Sequence, residues 1–353
     1  MRKTTPSGEL LYGKVNMSRK YKIIIPMAGF GSRLRPMTWS HPKPLLALAG
    51  KTVLDYSLEQ FATLPGLEDA EYVFIISPNQ GDHLQKYMQE THPEKVVHFV
   101  LQDEMRGQAH ALWCAREYLS GPVLIAFSDT LIETDLSFLS NETMDGVAWV
   151  KPMDDPRRFG VIETDAQGVA TRLVEKPTRL ENKMVLVGFY YFKEGQRLLK
   201  AIEEQIRRGK DLNGEFYLAD AINVFIEQGA RMRKELVTTW LDAGIPEAVL
   251  ETNRYLLEHR AGVNSDYLLP EGVAILPPVS IGKEVKLESS VIGPYVSVGD
   301  GVSLKNVIVS NSIIGSRTVI ENRIVSDSII GKDVTLAGGS SQVNLGDNTI
   351  VKL

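Results

Sequence analysis

Between residues 22 and 48 the chain reads KIIIPMAGFGSRLRPMTWSHPKPLLAL, an apolar run that empties into glycines and cations. Ile23, Ile24 and Ile25 have the pattern of a buried parallel strand. Gly29 and Gly31 let backbone N–H groups approach an anion closely, and Arg33, Arg35 and Lys43 follow in the same loop. Pro42 and Pro44 pin Lys43 between them. Gly-Phe-Gly alone describes an ordinary turn equally well. The ordered cations turn the balance toward a loop that cradles phosphate groups.

Such a loop needs a scaffold. Apolar strands over 21–27, 72–77, 96–102 and 123–127 alternate with amphipathic helices over 53–64, 82–89 and 108–119. This alternation predicts an α/β fold, a Rossmann-like, mostly parallel sheet with helices on both faces. Ligands of such sheets bind outside the carboxyl ends of the strands. Gly29, Gln102 and Asp129 all fall at such ends and should converge on one rim. From 147 to 244 the pattern is mixed. Runs at 161–163 and 169–176 flank Ala166-Gln167-Gly168, a hairpin signal, and 185–192 reads as a strand. Helices are expected over 196–207 and 217–228, a strand near 236–241, and a further helix from Pro246.

After about residue 260 helical periodicity stops. Ile281-Gly282, Ile292-Gly293, Val298-Gly299, Ile314-Gly315 and Ile330-Gly331 recur, with aliphatic residues at Leu287, Leu304, Ile320 and Leu336. Recurrence near six residues is a hexapeptide β-solenoid signature, against an antiparallel sandwich of short Val/Ile strands. The expected organisation is therefore a disordered extension over 1–20, of which 1–16 alternatively precede a true start at Met17, a catalytic domain over 21–260, a linker over 261–272 and a solenoid over 273–353. Stacked coils commonly self-assemble, so a homo-oligomer through the solenoid is expected, and its removal should change assembly more than chemistry.

The 353 residues carry a net charge of −5, which argues against nucleic acid as a partner and requires any polyanionic substrate to be held by a local cluster of cations. Cys114 is the only cysteine, so neither an intrachain disulfide nor a thiolate metal site is available. No apolar stretch is long enough to span a membrane, and residues 1–20 lack the apolar core of a signal peptide. A cytoplasmic location is the expectation.

Gly29-Phe30-Gly31-Ser32-Arg33-Leu34-Arg35-Pro36 and Pro42-Lys43-Pro44 are followed in order by Gln102 with Gly107, Ser128-Asp129, Phe159-Gly160-Val161, Glu175-Lys176-Pro177, Val187-Gly188 and Trp240-Leu241-Asp242-Ala243-Gly244. In that order and spacing the chain resembles the sugar-1-phosphate nucleotidylyltransferases, above all glucose-1-phosphate thymidylyl- and uridylyltransferases with a C-terminal left-handed β-helix. The left-handedness is implied by the resemblance, because parallel crossovers are otherwise right-handed.

The resemblance implies transfer of a nucleotidyl group from an NTP, dTTP or UTP in preference, to a hexose 1-phosphate, glucose 1-phosphate in preference, with pyrophosphate leaving. A phosphate monoester is largely dianionic at neutral pH and needs no general base. The difficulty is electrostatic, since two polyanions must meet. By resemblance, Arg33, Lys43 and Lys176 are the catalytic cations, at the β/γ-phosphates, the α-phosphate and the sugar phosphate. Ala28, Gly29, Gly31, Ser32, Arg33, Gln102 and Gly107 bind the nucleotide. Gly160, Glu175, Lys176, Val187, Gly188 and Tyr190 bind the sugar. Asp129 and Asp242 hold Mg²⁺, which takes few carboxylates and completes its shell with substrate oxygens and water. An amide at Gln102 suits the O4/N3 edge of thymine or uracil.

The chain departs from the family pattern at Ser32, where threonine is frequent, and at Ser128, where glycine is frequent. Its glycine loop has a one-residue spacer, shorter than in many thymidylyltransferases, which leaves mannose-1-phosphate guanylyl transfer as an alternative. A non-catalytic sugar-nucleotide-binding subunit is a further alternative, though all five charged site residues are present. A second, acyl-transfer activity of the solenoid lacks a histidine base there, since His41, His83, His92, His98, His110 and His259 all precede the repeats. A Rossmann dehydrogenase is disfavoured because the loop lacks G-x-G-x-x-G.

Overall fold

The computed structural model describes residues 20–29, 31–39, 41–78, 80–209, 211, 214–259, 270–338 and 344–352. The expected extension lies outside the described residues except for Lys20, and so does most of the expected linker.

The first part is a nine-stranded sheet covered on both faces. Its parallel centre comprises β1 (Lys22–Pro26), β2 (Glu71–Ile76), β3 (Val96–Leu101) and β4 (Val123–Ala126), in the spatial order β3-β2-β1-β4. In β1 alternate residues serve opposite cores: Ile24 packs with the helix α3 (Gln108–Cys114), while Ile23 and Ile25 pack with α1 (Val53–Glu59) and α2 (Gly81–Thr91). A strand buried on both faces must be apolar throughout, which is why IIIP reads as a continuous run. The chain reverses order between β1 and β4, so the loops after them open on the same crevice.

An antiparallel wing extends this centre. β5 (Thr130–Ile132) leaves the sheet. β6 (Gly146–Pro152), the hairpin β7 (Gly160–Thr164) and β8 (Ala170–Glu175), and β9 (Met184–Phe192) follow. β9 joins the halves, pairing with β4, β6 and β7. Its ladder shifts register between Leu186 and Tyr190, so Val187 and Gly188 form a bulge inside a strand rather than a turn. Helices α4 (Gly195–Arg207) and α5 (Leu218–Glu227) cover this side.

The single strand expected near 236–241 is two strands in two sheets. β10 (Met232–Leu236) runs parallel to β6, and β11 (Trp240–Asp242) pairs with β5. The expected helices over 53–64 and 108–119 are shorter. α1 ends at Glu59, and α3 ends at Cys114, after which Arg116–Tyr118 tighten into a 3₁₀ turn.

After α6 (Pro246–His259) the chain forms a parallel β-helix from Ala274 to Lys352. Every strand pair in it is parallel, which excludes the antiparallel sandwich and accords with the expected left-handed β-helix. Residues with positive φ mark three corners: Glu284, Gly301, Arg317, Asp333 and Asn348; Ser289, Asn306, Asn322 and Gly338; Tyr295, Asn311 and Asp327. Asn and Asp tolerate this left-handed backbone better than most side chains, and stacked pairs bond between coils, as Asn306 Nδ2 does to Asn322 Oδ1 at 3.0 Å. Ile281, Val298, Ile314 and Ile330 stack in one column with their glycines. Ile292-Gly293 belongs to another face, where Ile292 pairs with Val309.

The β-helix packs on the α/β part through its outward Ile313 and Ile329, which share a core with Leu34, Met37, Val249 and Leu256. Ser297 Oγ accepts from Ala49 N at 3.0 Å and donates to Asn253 Oδ1 at 2.6 Å.

Candidate active site

Two adjoining cavities open at the carboxyl ends of the central strands. The first, of about 370 Å³, is lined by Ala28, Gly29, Gly31, Ser32, Arg33, Lys43, Gln102, Gly107 and Asp129. The second, of about 200 Å³, is lined by Gly160, Glu175, Val187, Gly188, Tyr190 and Asp242. Arg33, Gln108, Phe127 and Asp129 line both. The residues assigned to nucleotide and sugar by resemblance are thus brought together and sorted into neighbouring spaces, with Lys176 as the exception.

The glycines of the first cavity are required for different reasons. A Cβ on Gly29 would meet nothing within 4 Å, so packing does not demand glycine there. Gly31 takes φ +58° and starts the 3₁₀ turn Ser32–Leu34, with its carbonyl held by Thr38 Oγ1 at 2.8 Å. At Gly107, φ is +95° and a Cβ would lie 2.6 Å from Phe216 O, so the backbone itself packs there. Gln102 is buried, and its Nε2 donates to Gly107 O at 3.2 Å. That bond orders the loop that walls the cavity.

Lys43 Nζ lies 2.6 Å from Asp129 Oδ2. Burial pushes the Asp129 carboxyl up, but Lys43 and Arg33 outweigh it and hold its pKa below the ordinary value. Asp242 reaches the same place through β11, which pairs Asp242 with Thr130, while Ala243 N bonds Asp129 O at 3.1 Å. Burial and the charge of Asp129 raise the Asp242 pKa. Asp129 at the boundary of the two cavities, and Asp242 beside it in the second, fit a hard dication that takes few carboxylates and completes its shell with ligand oxygens and water. Among the described residues no cluster of three or more His, Cys, Asp or Glu forms an all-protein metal cage.

In the second cavity burial lifts the pKa of Glu175. A Cβ on Gly160 would lie 3.1 Å from Glu175 Oε2, so glycine gives this carboxylate its room. Tyr190 is 4% exposed and packs on Phe127 and Phe192, so it is a core side chain with one edge on the cavity. Lys176 lines neither space. Its backbone takes φ +46°, and its Nζ donates to Tyr217 Oη at 2.9 Å. It stands beside Glu175 but is turned away, anchored on an aromatic hydroxyl.

Sequence reasoning missed Gln108, Arg158 and Trp240 as cavity residues. Gln108 directly follows the recognised Gly107, and Arg158 precedes the recognised Phe159-Gly160, so adjacency was the available signal. Trp240 packs edge-on against Phe159 at 5.1 Å between ring centroids, a contact no local pattern announces.

Comparison with known proteins bears on the family and the fold. The sequence model described as nucleotidyl transferase matches residues 22–259. The low-salt glycan biosynthesis nucleotidyltransferase Agl11 of Haloferax volcanii is 28% identical, over 83% of this chain and 87% of that protein. The bifunctional protein GlmU of Methanocaldococcus jannaschii is 32% identical over 69% of this chain, which spans 55% of that longer protein. A glucose-1-phosphate thymidylyltransferase of Streptomyces antibioticus is 28% identical, over 85% of this chain and 88% of its own length. Among solved structures, UDP-glucose pyrophosphorylase complexed with UDP-glucose has the same fold, with a TM-score of 0.57, 19% identity, and coverage of 68% of this chain and all of that one.

Proposed function

The chain belongs to the nucleotidyl transferase family, and from that premise we propose that it transfers a nucleotidyl group from dTTP or UTP to a hexose 1-phosphate, glucose 1-phosphate in preference, releasing pyrophosphate. The observation that carries this reading is the pair of adjoining cavities that share Arg33 and Asp129. One has the glycines and cations a triphosphate needs. The other has Gly160, Glu175 and the Val187-Gly188 bulge, a small polar floor suited to sugar hydroxyls. The thymidylyltransferase relative supports the choice of glucose and of a pyrimidine base.

The reaction is an in-line displacement in which the sugar phosphate oxygen attacks the α-phosphorus. Arg33 is assigned to the outgoing β- and γ-oxygens, where its planar fork binds two at once. Lys43 is assigned to the α-phosphate as a compact charge. In the free protein Lys43 rests on Asp129, so the cation is held at the reaction centre before substrate arrives. Mg²⁺, held by Asp129 and Asp242, would supply charge neutralisation between the two phosphates. Gly29, Gly31 and Ser32 offer donors to the triphosphate, and Gln102 with the Gly107 backbone faces the base. Lys176 would reach the sugar phosphate by rotating off Tyr217. Self-association through the β-helix belongs to the same reading; Ile308 and Ile324 stack on one outer face and are about half exposed.

A pyrophosphate-release screen of NTPs against sugar 1-phosphates with Mg²⁺ tests the proposal. Turnover should be greatest with dTTP or UTP and glucose 1-phosphate. Absence of release with every pair, or a triphosphate that binds outside the first cavity, would overturn it.

A further inference from the structure

We infer that the last coil of the β-helix is part of the nucleotide-binding machinery, with Asp347, acting through His41, as a positioning residue for the loop that carries Lys43; this rests on the reading above. Three contacts join the coil to that loop. Asp347 Oδ2 lies 2.7 Å from His41 Nδ1. Gly346 abuts Pro36 so closely that an added Cβ would sit 2.9 Å from Pro36 Cβ and 3.0 Å from its carbonyl oxygen. Ile313 and Ile329, from the two preceding coils, share a core with Leu34 and Met37 of the loop.

A cavity of about 520 Å³ lies between His41, Lys43 and Ala47 on one side and the solenoid face on the other, and Lys43 lines both this cavity and the nucleotide cavity. Lys43 therefore stands on a strip of chain with space on either side. On the α/β side, His41 packs against His83 of α2, with ring centroids 5.5 Å apart. On the solenoid side Asp347 closes the grip. Lys43 is two residues from His41, so a shift of the histidine is passed to the ammonium through Pro42, whose ring stiffens the chain.

The fold supplies its own control. Asp300 holds the same place as Asp347 in an earlier coil: each follows a glycine of the stacked column, and each Oδ1 accepts a backbone N–H of the preceding coil, from Lys283 at 2.7 Å and from Lys332 at 2.5 Å. Of the two, Asp347 is paired with His41. Asn at either site can keep the turn bond, so Asp300→Asn tests the turn and Asp347→Asn tests the turn plus the grip.

The experiment compares wild type, Asp300→Asn, Asp347→Asn and Gly346→Ala in the full chain. Steady-state kinetics should show a rise in KM for the NTP or a fall in kcat of about tenfold in Asp347→Asn and Gly346→Ala, as a small displacement of a catalytic group produces. KM for the sugar phosphate should be unchanged, and Asp300→Asn should behave as wild type. Hydrogen exchange over residues 36–46 should quicken in Asp347→Asn and not in Asp300→Asn. Equal kinetics and equal exchange in the two Asn variants would overturn the inference, as would a matched rise in both KM values. If the wild type released no pyrophosphate, the functional reading would fail by itself, and the exchange comparison would still decide whether Asp347 holds the loop.

Discussion

The two halves of the cleft are built by opposite means. The half we assign to the nucleotide is mostly contiguous chain: one loop after β1 supplies Ala28, Gly29, Gly31, Ser32, Arg33 and Lys43, and strand ends supply Gln102 and Asp129. The half we assign to the sugar is assembled from the start of β7, the end of β8, the bulge in β9 and the end of β11. In the first, Gly29 leaves open space, while Gly107 packs its backbone on Phe216. In the second, glycine leaves space for the protein's own neighbours. Lys43 and Glu215 bring charge to the first alone, Arg158, Glu175 and Asp242 to the second alone, and Arg33 and Asp129 to both.

The comparison breaks most readily at the ion pair on the boundary. Lys43→Ala and Asp129→Ala should each lower kcat by about 10²–10³, the scale seen on removal of one transition-state donor. Single-turnover pyrophosphate release would measure it, and a loss as large from an uncharged sugar-half residue would erase the distinction.

Asp242→Asn should come next, with activity falling while stability rises. Its carboxyl pKa is raised in the folded state. The folded protein therefore holds that proton more tightly than the unfolded chain does. Stability from this group is present below the unfolded pKa and is lost as pH rises through the folded one, so at neutral pH the ionised carboxylate opposes folding. Removing it should raise the Tm of the metal-free protein at pH 7, and the gain should vanish in acid. A lower Tm at pH 7 would contradict the assignment of burial and Asp129 as the cause.

A pair of glycine variants sharpens the contrast directly. Gly188 has φ +81°, and a Cβ would lie 2.6 Å from the Phe127 ring. Gly188→Ala should cost about 1–3 kcal/mol in chemical unfolding, as overpacking does. Gly29→Ala should leave stability within about 0.5 kcal/mol, as an open site permits, yet raise KM for the NTP. Equal stability losses would show that both halves use glycine in the same way.

The smallest effect is expected at Tyr217→Phe. It removes the hydroxyl that anchors Lys176, worth about one hydrogen bond, or roughly a fivefold change in KM for the sugar phosphate. KM for the NTP should not move.

Local signals made the nucleotide half legible. The run at Ile23–Ile25 is apolar because both faces are covered, and the loop after it can be recognised because its donors are neighbours in sequence. Asp242 was recognised by motif, yet how it reaches Asp129 was not visible. The stretch around 236–241 reads as one strand, and only the break at 237–239 lets Trp240–Asp242 cross to β5. The Val187-Gly188 bulge was equally hidden, since a register shift depends on the partner strands. In the tail the Ile-Gly repeat disclosed the solenoid, while the positive-φ corners at Asn306, Asn311, Asn322 and Asp327 show where each coil bends.

What the amino-acid order determined alone was the set of elements and the chemistry at their ends: a buried parallel strand, a cationic glycine loop, two carboxylates and a stack of short repeats. These are encoded by side-chain period and by backbone freedom, both properties of a few consecutive residues. What tertiary structure decided was adjacency between distant segments. It set Lys43 on Asp129, turned Lys176 toward Tyr217, and brought Asp347 against His41 across some three hundred residues of chain. Those pairings follow from strand register, helix packing and the docking of the β-helix, which no local pattern specifies because the free energy belongs to the contact and not to either partner.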